Sequence, residues 1–400
     1  MLGPFATAGL ILLVMAMAAC NQPGGTISPP DGIRFEVTVP GGLPEGEKIF
    51  VAGTFNDWNP GASAYQLRGK NDTTYAITLP DVPADEHEFK FTLGTWERVE
   101  VDRSGADVGN RTVAVPSDRG ITYTSRVYGW RSAGESWPLP NSTATASVSI
   151  MDPAFPMDPL DRTRRVWIYL PPDYDTSERS YPVLYMHDGQ NLFDAATSYA
   201  DEWGVDETLD SLHAQGHPGL IVVGVDNGDE RRADEYSAWR NERLNAGGEG
   251  EAYIQFLVET LKPHVDARYR TQTGPETTGV MGSSMGGLVS LHAMIKHPDV
   301  FGAGGIFSPA FWFAPAIFDA ASSIEPRPFS RIYMVTGAQE TAEGEPDNVY
   351  VRDHESMTQM LLKAGFERGE TLQVHVRADG KHREWFWRRE FPAAVTWMFE

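Results

Sequence analysis

The sequence predicts an α/β protein, a mostly parallel sheet with helices on both faces, preceded by a small all-β, immunoglobulin-like sandwich. Three observations predict this. Residues 33–116 carry short apolar runs separated by turn residues and show no helical period. From residue 146 onward, strand-like apolar runs alternate with amphipathic helical runs. Within that second region, Val280-Met281-Gly282-Ser283-Ser284-Met285-Gly286-Gly287-Leu288 places a glycine-rich turn between a strand and a helix.

The first twenty residues read as a targeting segment. Residues 10–19 are apolar over signal-peptide length, too short to span a bilayer. They end in Met17-Ala18-Ala19-Cys20, which resembles the lipobox of bacterial lipoproteins. That resemblance implies lipidation at Cys20 as the first mature residue. With Asn21 after it and no aspartate retention signal, it implies an extracytoplasmic protein, at the outer membrane where the cell has one. The stretch departs from the pattern in lacking Lys or Arg before residue 10, and an ordinary cleaved signal peptide is the alternative. Cys20 is the sole cysteine, so no intrachain disulfide can form. Residues 21–32 are rich in Pro, Gly and Ser and read as a tether. The chain has 33 basic and 55 acidic residues, a net charge of −22, which argues against nucleic acid or an anionic membrane surface as partner. Membrane association is expected only through Cys20.

Residues 33–128 are read as the sandwich. Phe35, Val37 and Val39 alternate with polar residues, Tyr75, Ile77 and Leu79 do the same, and 49–52 and 88–93 supply further strands. Val51-Ala52-Gly53-Thr54-Phe55-Asn56-Asp57-Trp58-Asn59-Pro60, then Phe89-Lys90-Phe91 and Asn110-Arg111, resemble the starch- and glycogen-binding modules. The resemblance implies exposed tryptophans stacking on sugar rings, with Trp58 and Trp96 the candidates. No tryptophan stands just ahead of Asn110, where many starch binders have a second platform, so Trp58 packing its own turn is an equal alternative. Residues 129–147, with Trp137-Pro138-Leu139-Pro140, read as a linker.

Residues 148–400 supply the parallel sheet. Strands are expected at 165–170, 183–186, 220–225, 277–281, 304–307, 332–335 and 372–376. Helices are expected at 205–214, 252–269, 351–364 and from Trp385, and Pro263 must bend the second of them. Leu288, Leu291 and Ile295 follow the glycine turn at helical spacing until Pro298.

Gly282, Ser284 and Gly286 form G-x-S-x-G. A serine hydroxyl at its free pKa is a poor nucleophile and must be held in the open beside a base, which a tight strand-to-helix turn achieves. The alternative is a plain turn in a parallel sheet. In α/β-hydrolases an acid and then a histidine follow the serine along the chain, each after a later strand. Glu340 follows 332–335 and His382 follows 372–376, so Ser284, Glu340 and His382 stand in the required order. Glu343, Glu345 and Asp347 share the Glu340 loop, and a Ser284–His382 dyad is a further alternative. The other nine histidines lie on helices, inside strands or upstream. The oxyanion hole is expected from the backbone N–H of Met285 and that of Gln190 in Met186-His187-Asp188-Gly189-Gln190-Asn191; a plain Asp-Gly turn is the alternative there.

Leu184-Tyr185-Met186-His187-Asp188-Gly189-Gln190, Arg232 with Glu235-Tyr236, the glycine turn, Phe307-Ser308-Pro309 and Gly380-Lys381-His382 with Trp385 resemble the esterase D-type putative esterases. These include siderophore, feruloyl and acetylxylan esterases and, more distantly, mycolyltransferases. The resemblance implies an α/β-hydrolase fold and serine carboxylesterase activity without a metal, on esters of polysaccharides or of small molecules such as siderophores. Trp239 departs from the Thr-Pro pair many relatives have, which bears on the shape of the acyl or alcohol pocket. An acyltransferase and a catalytically silent glycan-binding lipoprotein are the other readings. No H-E-x-x-H or phosphate loop occurs, and no cofactor or metal is expected.

Overall fold

Strand Ile33–Thr38 buries every second side chain, Ile33, Phe35 and Val37, and so gives the N-terminal sandwich one apolar face. The computed structural model describes residues 32–44, 46–80, 82–101, 108–116, 120–131, 142–198, 201–342, 345–346 and 348–399. The chain divides into two units, Met1–Pro138 and Leu139–Glu400.

In the first unit, Ile33–Thr38 pairs antiparallel with Thr74–Leu79 and parallel with Ile121–Arg126. A second sheet joins Phe50–Gly53, Glu86–Thr92 and Arg111–Ala114. Phe35, Phe89 and Phe91 are fully buried in the core, with the Phe35 and Phe89 rings 4.8 Å apart. Arg111, part of the sugar-module motif, has a structural partner: its Nε and Nη2 donate to the buried Glu100 carboxylate at 3.0 and 2.8 Å. Gly129–Trp130, read from sequence as the start of the linker, instead forms a strand against Glu100–Val101 in this unit. Residues 132–141 of that linker lie outside the described residues, as do the targeting segment and all of the tether but its last residue.

The second unit holds one eight-stranded sheet. Its strands are β1 (Val148–Met157), β2 (Arg162–Tyr169), β3 (Val183–His187), β4 (Ile221–Val225), β5 (Thr278–Ser283), β6 (Ala303–Phe307), β7 (Arg331–Gly337) and β8 (Leu372–Arg377). The order is β1-β2-β4-β3-β5-β6-β7-β8. The β1–β2 and β2–β4 pairs are antiparallel, and every pair from β4 to β8 is parallel. Strands β3, β4, β5 and β6 are buried along their whole length, as strands covered on both faces must be. Helices α1 (Val205–Ala214), α3 (Met285–Lys296), α4 (Val349–Lys363) and α5 (Glu384–Phe399) agree with the sequence to within two residues.

The helix expected at 252–269 is not uniform. Gly250–Gln255 and Lys262–Arg268 are α-helical and together with the turns between them form α2, but Phe256–Leu261 winds as a π-helix. Pro263 has no N–H to donate to the carbonyl four residues back. The chain accommodates this by widening the preceding turns.

Residues 142–147, also read as linker, are tied to acids of the second unit. Ser142 Oγ donates to Asp194 (2.8 Å), Thr143 Oγ1 to Glu202 (2.8 Å), the Thr145 N–H to Asp206 (2.7 Å) and Ser147 Oγ to Asp210 (3.0 Å). Asp206 is fully buried, and burial pushes its carboxyl up to about 7, with the neighbouring Glu207 adding to the rise. An acid whose folded pKa exceeds its unfolded value stabilises the fold at low pH and loses that contribution as pH rises through the folded pKa. Asp206→Asn keeps an oxygen for the Thr145 N–H and cannot ionise. It is expected to be more stable relative to the wild type at pH 8 than at pH 4, by about 1 kcal/mol or more. Denaturant midpoints at the two pH values measure this, and a larger gain at pH 4 would contradict a neutral, buried Asp206.

Candidate active site

Ser284 sits between β5 and α3 with φ 59° and ψ −120°, a region that costs a side-chain-bearing residue of order 1–3 kcal/mol. The turn closes because the backbone packs too tightly for side chains. A Cβ on Gly282 would lie 2.9 Å from the Gly286 backbone, and one on Gly287 would lie 3.0 Å from the Phe307 carbonyl. The second glycine of the G-x-S-x-G motif, Gly286, is under less pressure, its nearest neighbour being 3.4 Å away. The Ser284 N–H donates to Phe307 O (2.9 Å), and the Ala310 N–H donates to Ser284 O (3.0 Å). These bonds fix the strained residue to the end of β6.

Glu340 follows β7 and is 2 % exposed. Its Oε1 accepts the Gly337 N–H (2.7 Å) and the Ser308 hydroxyl (2.6 Å). Its Oε2 lies 3.0 Å from His382 Nδ1 and 3.4 Å from the Thr336 hydroxyl. Four donors thus occupy a group that offers about four acceptor positions. Ser308 is itself held at φ 43° and receives the Trp387 indole N–H at 2.9 Å. His382 follows β8, and its ring packs against Trp387 (5.1 Å, perpendicular) and Tyr350 (4.8 Å). An imidazole held by Nδ1 in this way presents Nε2 as the free, basic nitrogen. Ser284 and His382 make no hydrogen bond to each other in this structure. Contacts of this type commonly tighten only with substrate bound.

The loop after β3 carries Asp188 at φ 59°. Arg232 grips its carboxylate with two bonds, Nε to Oδ1 at 2.6 Å and Nη2 to Oδ2 at 2.8 Å, while Asn227 donates to Oδ1 at 2.6 Å. The Asp188 N–H donates to the Tyr236 hydroxyl at 3.1 Å. Burial pushes the Asp188 carboxyl up, but the charge and hydrogen bonds of Arg232, together with the Asn227 bond, hold it below its usual range. Gly189 follows with its missing Cβ 2.8 Å from the β4 backbone. The side chain of Gln190 accepts the Asn227 N–H at 3.1 Å, and its own backbone N–H is given no acceptor. The Met285 amide opens α3, where first-turn N–H groups have no acceptor within the helix.

Sequence reasoning picked Arg232, Ser308 and Tyr236 only as members of family motifs, and it missed Tyr350, Trp387, Thr336 and Gly337 as parts of the site. The positive φ at Asp188 and Ser308 cannot be read from residues that are not glycine. Of the Glu340 loop, Glu343 and Asp347 lie outside the described residues, as does Cys20. Trp239 packs against His292 with ring centroids 4.7 Å apart and planes inclined by 42°. The buried His187, His292 and His354 are each pushed down to about 4 by burial, so they are neutral packed imidazoles at ordinary pH. On the sandwich, Trp58 and Trp96 come together with ring centroids 6.1 Å apart. Trp58 is half-buried with φ 56°, and Trp96 is exposed.

A serine strained over the end of β5 in such a sheet, with later strands leading to a carboxylate–imidazole pair, defines the second unit as an α/β-hydrolase. Within that class the chain belongs to the family described as Putative esterase, which residues 158–398 match. It is 28% identical over 244 residues to the uncharacterized protein YbbA of Bacillus subtilis (strain 168), covering 59% of this chain and 92% of that one. It is 25% identical over 285 residues to the iron(III) enterobactin esterase of Dickeya dadantii (strain 3937), covering 67% of this chain and 58% of the relative. It is also 38% identical over 101 residues to an alpha-amylase of Niallia circulans, 25% of this chain but only 8% of the amylase. Among solved structures, the enterobactin esterase of Shigella flexneri superposes with a TM-score of 0.50 at 17% identity over 92% of each chain, a likeness of fold.

The Asp188–Arg232 pair is buried on the acid's side, and removing one partner of such a pair typically costs about 3–5 kcal/mol. Arg232→Met is expected to destabilise the second unit by that amount in chemical denaturation, with Arg232→Lys in between. A neutral Arg232→Met would mean the pair does not hold the loop.

Proposed function

We propose that this protein is a serine carboxylic ester hydrolase working through an acyl-enzyme. The observation that carries the reading is the 3.0 Å pair of His382 Nδ1 with the buried Glu340, standing beyond the strands that follow the strained Ser284. In this reading Ser284 Oγ attacks the ester carbonyl, and His382 Nε2 takes its proton and then gives it to the leaving alcohol. Glu340 holds the imidazole in the productive tautomer. The Met285 and Gln190 amides, which lack acceptors, receive the charge on the carbonyl oxygen. Water then attacks the acyl-enzyme by the same route in reverse.

Two substrate classes are proposed: esters carried on a polysaccharide, and small esters of the siderophore kind. The paired Trp58 and Trp96 and the likeness of the first unit to part of an alpha-amylase support the first. Two neighbouring indoles, one of them exposed, suit the apolar faces of successive sugar rings. The backbone strain at Trp58 is also more at home in a binding turn than in a packing one. The likeness to an enterobactin esterase supports the second. Product release from acetylated and feruloylated polysaccharides, beside a trilactone of serine, separates the two. The same assay with and without a sugar acceptor separates hydrolysis from acyl transfer, and absence of all turnover would leave a silent glycan binder. We further propose that Cys20 is lipidated and anchors the protein outside the cytoplasm; metabolic labelling with a fatty acid that persists in Cys20→Ala would refute this.

Ser284→Ala is expected to lower kcat by about 10⁴–10⁶. Near-wild-type turnover by the pure variant would remove the nucleophile assignment. Glu340→Gln keeps the side chain's shape but offers an N–H where four donors converge. It is expected to lower kcat by up to about 10⁴, against less than about tenfold for Asp347→Asn. The opposite ranking on one ester would move the acid to Asp347, and two near-neutral results would mean a dyad.

A further inference from the structure

Tyr350 is the second residue of α4 and is 4% exposed. Its ring lies on the His382 imidazole, centroids 4.8 Å apart and planes inclined by 37°. The Trp312 indole and the Ser284 side chain both lie beside its hydroxyl. Trp312 Nε1 is correspondingly a buried donor with no acceptor. Burial pushes the Tyr350 phenol up to about 12, so it keeps its proton at any pH at which an esterase works. An indole N–H can only donate. Directed at the Tyr350 oxygen, it leaves the Tyr350 O–H to donate on the side of Ser284 and His382. A buried polar pair of this kind, left incomplete beside a nucleophile, is a place for a substrate oxygen.

We propose that Tyr350 is a further catalytic residue, whose O–H donates a hydrogen bond to the alkoxy oxygen of the departing alcohol. The inference rests on the serine-esterase reading above. When the tetrahedral intermediate collapses, the C–O bond to the alcohol breaks and its electron pair goes to that oxygen. The proton that His382 took from Ser284 goes to the same oxygen, and Tyr350 keeps its own. Its hydrogen bond strengthens as charge gathers on the oxygen, so it stabilises the transition state more than the bound ester. The same group then orients the attacking water in deacylation, which is the same step reversed.

The test compares a methyl and a p-nitrophenyl ester of one acid through kcat/KM, which covers steps only up to acylation. The alkoxide needs help to leave and the nitrophenoxide does not. Tyr350→Phe is expected to lower kcat/KM for the methyl ester by about 10–100-fold and for the p-nitrophenyl ester by less than about threefold. Trp312→Phe, which removes only the donor behind Tyr350, is expected to show the same ordering with smaller losses, and it carries the test where Tyr350→Phe folds poorly. Equal losses on both esters would overturn the proposal, because a ring that merely packs on His382 affects both alike. No loss on either would overturn it as well. Ser284→Ala is run in parallel: if it stays active, the serine-esterase reading itself has failed, whereas an inactive Ser284→Ala with equal Tyr350→Phe losses defeats the Tyr350 role alone.

Discussion

The carboxylate of Glu340 is the point at which the separate parts of the second unit are joined. It draws two donors from the end of β7, one from the loop after β6, one from the loop after β8 and, through Ser308, the Trp387 indole of α5. A buried carboxylate left short of donors costs several kcal/mol, so each of these contacts is strongly specified. Such a group fixes position as well as charge. Ser308 tolerates φ 43° because its hydroxyl both receives the indole and serves the carboxylate. His382, half-exposed on one edge, is held in register by a partner that is not exposed at all.

The far side of the candidate site is built by a second charge arrangement with the same logic. Asp188 adopts a left-handed conformation, which Asp visits more readily than most residues with a side chain and which a hold on its carboxylate fixes here. The bidentate Arg232 supplies that hold, and a lysine could not reproduce its planar fork. The conformation directs Gly189 against the backbone of β4, and the Gln190 amide is left without an acceptor as a result. The neutral His187 beneath, bonded through Nδ1 to the Tyr253 hydroxyl at 2.9 Å, brings no charge of its own to the site. Ion pair, backbone conformation and open amide thus belong to one loop arrangement.

What the sequence could reveal follows from which interactions are local. Gly282 is legible because a Cβ there meets the same turn only four residues on. The parallel strands are legible because burial on both faces makes them continuously apolar, as Ile221–Val225 shows. Strand β1 was not anticipated. It is an edge strand with Pro153 and Pro156, its pairing with β2 shifts register twice, and most of its side chains are exposed or half-buried, so neither alternation nor a run of apolar residues marks it. The π turns before Pro263 were legible only as a bend, since the sequence gives the missing donor but not how the backbone absorbs it. Glu340 and His382 were found by their order after strands, but their partners Ser308 and Trp387 are 32 residues before the one and five after the other, joined only by the sheet. The acids that hold residues 142–147 were invisible for the same reason, since Thr143 meets Glu202 across 59 residues.

The distribution of completed and incomplete hydrogen bonds separates what holds this site from what the site is for. Around Glu340 and Asp188 every strong acceptor is served, and the backbone there is strained yet fully tied. Across the serine the pattern reverses: the Gln190 and Met285 amides and the Trp312 indole are donors without an acceptor. A buried donor left without an acceptor costs about 1–3 kcal/mol. Open donors beside saturated supporting acids are the pattern expected where an oxygen-rich group completes the bonding. In the hydrolase proposed above, an ester supplies a carbonyl oxygen and an alkoxy oxygen as acceptors for such donors, whereas an amide or a thioester supplies only the first of these oxygens.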